Sequence, residues 1–77
     1  MKQASLIMND LVRGVSEVKN SGRVDHATIH WALDRQGLHI EINMIVKGVE
    51  KKVACVYPLE TEDIVGRILH KVNIILR

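Results

Sequence analysis

The spacing of apolar residues changes period twice along this chain, from 3.6 to 2 and back to 3.6. That alternation constrains the fold more than any other feature. Over positions 4–18 the apolar residues Ala4, Ile7, Met8, Leu11, Val12, Val15 and Val18 fall on one stripe at 100° per residue. Asn9, Asp10, Arg13 and Glu17 fall opposite, and Leu6 is an apolar residue on the polar side. This predicts an amphipathic helix, ended by Asn20-Ser21-Gly22, whose glycine accepts left-handed geometry. Gly14 inside the helix costs about 1 kcal/mol relative to alanine unless close packing uses it.

Three alternating segments follow. Ala27, Ile29, Trp31 and Leu33 share one face of the first strand, and His26, Thr28, His30 and Ala32 share the other. In the second, Leu38, Ile40, Ile42, Met44 and Val46 oppose His39, Glu41, Asn43, Ile45 and Lys47. Val53, Cys55 and Tyr57 form the apolar side of the third. A one-residue slip would invert every side chain, so matching the apolar faces restricts the register. Around Asp34-Arg35-Gln36-Gly37 this pairs Leu33 with Leu38, Trp31 with Ile40 and Ile29 with Ile42. For the second hairpin, Gly48-Val49 is expected as a type II′ turn, which wants glycine first. That pairs Met44 with Val53, Ile42 with Cys55 and Ile40 with Tyr57, with Lys47 facing Glu50.

Pro58 closes the third strand because it cannot donate to the ladder. Thr61 is the expected N-cap of a second helix, with Glu60, Glu62 and Asp63 at the positive end of its dipole. Ile64, Val65, Ile68, Leu69, Val72, Ile75 and Leu76 make its apolar stripe, and Ile74 lies off it. Two apolar helix stripes and one apolar sheet face imply a two-layer α-βββ-α sandwich. The expected fold is thus an α+β domain over residues 1–77, an antiparallel meander in order 1-2-3 with both helices on one face.

Seventy-seven residues allow one small core, filled here by aliphatic residues, since the chain has no Phe, one Trp and one Tyr. A core of this size is often completed by self-association. The net charge of +2 is too small to imply nucleic-acid binding by bulk electrostatics. One cysteine excludes an internal disulfide framework and fits a reducing compartment, and no signal or membrane-spanning stretch is apparent. A cytoplasmic protein is expected.

The outer sheet face is the least ordinary surface. The expected registers put His30, Glu41 and Val56 in one row, Thr28, Asn43 and Ala54 in the next, and His26, Ile45 and Lys52 in a third. Three histidines and a glutamate are zinc-competent types, but their spacing matches no ligand motif, so a His30–Glu41 pair on a solvated face is expected instead. No metal, cofactor or small-molecule substrate is expected. Cys55 falls on the inner face, away from the strand histidines, where a thiol is inert. With no phosphate loop, carboxylate cleft or Ser-His-Asp set, no catalytic residue is proposed and no enzyme is expected.

What remains is contact with other macromolecules. Ala32, Ile45, Ala54 and Val56 interrupt the polar outer face, and the two edge strands carry unpaired backbone groups. The expected function is a non-catalytic protein–protein interaction module, self-associating or a subunit of an assembly. Its partner-binding residues would be His30, Glu41, Ile45 and Val56, with Leu6 and Ile74 as a second patch. Small chains of this kind are common among accessory and phage-encoded proteins. Full protonation of the four histidines would raise the charge from +2 to +6, so association through that face would weaken below about pH 6.

The alternative is nucleic-acid binding through Arg67, His70, Lys71 and Arg77 on the last helix. The α-βββ-α order is similar to that of double-stranded-RNA-binding domains and of small nucleoid-associated proteins of bacteria. In the RNA-binding domains the second helix opens with a lysine-rich segment that grips phosphates. The matching positions here read Glu60-Thr61-Glu62-Asp63, which repel them.

Overall fold

The computed structural model describes residues 3–77. Helix α1 (Ala4–Asn20) leads into strands β1 (His26–Asp34), β2 (Gly37–Val46) and β3 (Val49–Tyr57), and helix α2 (Ile64–Ile75) follows. The strands form one antiparallel sheet in the order β1-β2-β3, so the α+β fold and the meander read from the periodicity are present. Helix α1 ends where expected. The N–H of Ser21 donates to Glu17 O and that of Gly22 to Lys19 O, both at 3.0 Å, with Gly22 in the left-handed region.

The core lies between the helices and the inner sheet face. Ile7, Met8, Leu11 and Val15 of α1 meet Ile64, Ile68 and Val72 of α2 and the inward residues of β2. Leu38, Ile40, Ile42 and Met44 are each at most 2% exposed, and burial of such a side chain stabilises by about 1.5–3 kcal/mol. Gly14 is used for close packing, since a β-carbon there would press on the Leu69 side chain.

The first hairpin has the expected register, with Leu33 opposite Leu38, Trp31 opposite Ile40 and Ile29 opposite Ile42. The second does not. Its turn is Lys47-Gly48, closed by Val46 opposite Val49, and both turn residues have positive φ, 53° and 78°. That is the sign pattern of a type I′ turn, with glycine second, rather than the expected type II′ turn at Gly48-Val49. The ladder is displaced by two residues. Ile42 pairs with Val53, Ile40 with Cys55 and Leu38 with Tyr57, while Glu50 faces Ile45 instead of Lys47. A two-residue shift leaves every side chain on its face, so face matching alone does not detect it.

The cap of α2 also differs. The N–H of Thr61 donates to Pro58 O in the preceding turn, and the N-cap is Asp63, whose carboxylate accepts from Gly66 N at 3.1 Å. Asp63 reaches that position from a left-handed backbone, φ 52°. A side chain at position 66 would occupy the carboxylate's place.

The largest departure concerns burial. Trp31 and Leu33 lie on the inner side of β1 yet are each 49% exposed, and Val12, placed in the apolar stripe of α1, is 48% exposed. The helices meet at Gly14 and Leu69, with α1 packed on β1 and α2 on β3. Burial along the inner side of β1 falls toward its far end. Ala27 and Ile29, near its start, are half-buried.

Candidate outer-face interface

The face of the sheet turned away from the helices is open to solvent, and its rows follow from the observed registers. His30, Glu41 and Ala54 form the central row; Ala32, His39 and Val56 lie on one side, and Thr28, Asn43 and Lys52 on the other. His26, Ile45 and Glu50 form the row beyond. Val56 therefore sits beside His39 rather than in the row of His30 and Glu41. The cause is again the two-residue displacement of β3.

The ion pairs change accordingly. Glu41 is bound by Lys52, its diagonal neighbour, rather than by His30. The hydrogen bond from Lys52 holds the Glu41 carboxyl below its ordinary pKa, and the same contact raises that of Lys52. His39 Nε2 lies 2.8 Å from Asp34 Oδ1, and Asp34 also accepts from Gln36 N at 2.8 Å. These bonds, that of His39 first, lower the Asp34 pKa. Both pairs run along the face rather than into a cleft. They fix the orientation of His39, Glu41 and Lys52 around the small residues Ala32 and Ala54.

Between those small residues the face has a shallow concavity of about 620 Å³, lined by His30, Ala32, His39, Glu41, Lys52, Ala54 and Val56 among others. Three expected partner-binding residues, His30, Glu41 and Val56, meet there. Ile45, 40% exposed, stands on the same face nearer the Lys47-Gly48 turn. Leu6 instead lines a separate cleft between the first turns of the two helices, with Asp10, Arg13 and Val65. Ile74 sits with Lys71 beside the β3 edge. Leu6 and Ile74 thus belong to two surfaces rather than to one patch.

Among the described residues, no three His, Cys, Asp or Glu side chains gather closely enough to hold a metal ion. Cys55 is half-buried on the inner face opposite Ile40, and burial pushes its thiol pKa up, which disfavours the nucleophilic thiolate. On α2, Arg67 Nε donates to Glu62 O at 2.8 Å, and the Lys71 ammonium lies 5.4 Å from the centre of the Tyr57 ring. These two cations are engaged within the chain, while His70 is exposed in the middle of α2 and Arg77, expected on the helix, lies exposed beyond its end. No described helix is long and apolar enough to cross a membrane.

The residues that sequence reasoning passed over are Trp31, Leu33 and Val12, because apolar side chains on an inward-facing stripe read as core. One signal was available. Trp31 and Leu33 belong to an edge strand, which has a neighbour on one side only.

No family model matches the chain, and comparison with curated proteins and with solved structures finds no match either. The likeness to double-stranded-RNA-binding domains is therefore one of element order alone.

Proposed function

We propose that this protein is a non-catalytic interaction module that binds another folded protein through its outer sheet face. The observation that carries the reading is the central concavity, where small and apolar residues are framed by ion-paired side chains on three rigid strands. A surface of that kind offers apolar contact at its centre and oriented hydrogen-bonding groups at its rim, the usual division of labour in a protein interface. The reducing cytoplasm suits the lone thiol of Cys55.

Ile45→Asp tests the face. Ile45 is already 40% exposed on the outer side, so the variant is expected to keep the wild-type circular dichroism spectrum and melting temperature to within a few degrees. The immobilised wild-type chain should retain a partner from cell extract that the Ile45→Asp chain releases. Equal retention by both, or by neither, overturns the assignment.

A further inference from the structure

The two edges of the sheet are not alike. On the β3 side, Lys51 donates to Ile75 O at 3.3 Å and Lys52 is held by Glu41, while each edge strand has a helix packed on it, α1 on β1 and α2 on β3. Its charged residues protect the β3 edge from further pairing. The β1 edge carries no lysine or arginine. β1 runs unbroken for nine residues, and only its last, Asp34, is a Lys, Arg, Asp, Glu or Pro.

Three apolar groups that the core leaves half exposed lie on this side of the molecule. Trp31 and Leu33 are on its inner side, half uncovered. Val12 lies two residues from Gly14, hence about 200° around the helix. Because Gly14 faces Leu69 of α2, Val12 occupies the flank of α1 turned away from α2, toward the β1 side.

We infer that β1 pairs antiparallel with β1 of a second copy of this chain, giving a continuous six-stranded sheet with all four helices on one face. This goes beyond the outer-face reading and adds a second contact, made through the sheet edge with another copy of the chain. Antiparallel neighbours share a face, so only registers that keep inner residues opposite inner residues are allowed. The one that pairs β1 over its whole length centres the two-fold on His30. It sets Ile29 opposite the second copy's Trp31, and Ala27 opposite its Leu33, so the exposed inner groups are covered. At both ends it sets His26 opposite the Asp34 carboxylate, a donor facing an acceptor. Each His30 meets its own copy on the outer face, flanked by Glu41 within its chain.

The test uses full-length chains with Cys55→Ala, so that the only thiol is the one introduced. Sedimentation equilibrium at rising concentration should approach twice the chain mass. Under mild oxidation by glutathione disulfide, His30→Cys should convert to a covalent dimer, because directly opposed strand positions lie within disulfide reach. Thr28→Cys should not, since its own copy would lie about 13 Å away along the strand. Trp31→Lys, at a position already exposed, should retain its circular dichroism spectrum and sediment as a monomer. A chain that stays monomeric at all concentrations overturns the inference, as does a dimer that cross-links at 28 and not at 30. A monomer that still loses its captured partner with Ile45→Asp would overturn the β1 pairing alone and leave the outer-face reading intact.

Discussion

Gly37 joins two strands at a point where no other residue fits. Its φ is 125°, and a β-carbon there would overlap the Tyr57 carbonyl and the Pro58 α-carbon. Both neighbours are backbone, so the ladder itself would have to move. Gly37→Ala is expected to cost about 3 kcal/mol, combining an unfavourable backbone region with overpacking. Gly22→Ala, where the added methyl meets nothing, should cost about 1 kcal/mol for the left-handed backbone alone. Chemical denaturation of the two variants separates the terms, and equal losses would mean that Gly37 is constrained only by its φ. Trp31 makes a second point at this scale. Its type and strand position both indicated burial, yet it is half exposed, because burial depends on what lies above a residue and not on which way it faces.

At the scale of elements, the helices and the strand faces were legible because each apolar period is a local property. The register of the second hairpin was not. Slips by two residues are degenerate on faces, and the decision fell to the Lys47-Gly48 turn. Lys47 holds a left-handed backbone that lysine disfavours, braced by its N–H donating to Asp25 Oδ2 at 3.0 Å. Lys47→Asn creates the Asn-Gly pair that a type I′ turn prefers and is expected to stabilise by about 0.5–1 kcal/mol. A raised melting temperature checks it, whereas a drop would argue for the type II′ turn and the ladder that pairs Met44 with Val53. The N-cap of α2 shows the same limit. Asp63 and Thr61 are both capping types, and only the left-handed backbone at Asp63, with Gly66 beneath its carboxylate, selects between them.

At the scale of the whole molecule, the outer-face ion pairs link folding to pH. Asp34 and Glu41 both have lowered pKa values in the fold, so each favours the folded state when ionised. That contribution is present above the ordinary carboxylate range of about 4 and is lost as pH falls through the folded values. Both groups are exposed and screened by salt. Glu41→Gln should therefore lose less stability than the wild type between pH 7 and pH 3, most visibly at low ionic strength. Denaturant midpoints at the two pH values check this, and parallel losses would show that the Lys52 contact does not contribute.

The sequence by itself determined which segments are helix and strand, which side of each is apolar, and that the layers close as an α-βββ-α sandwich. Those properties follow from periods of 3.6 and 2, which are read within a few residues. Tertiary structure alone decided the pairing of β2 with β3, the partners of Glu41 and His39, and the exposure of Val12, Trp31 and Leu33. Each of these depends on how far one element slides or twists relative to another. The periodicity of a chain is blind to such displacements when they preserve its faces.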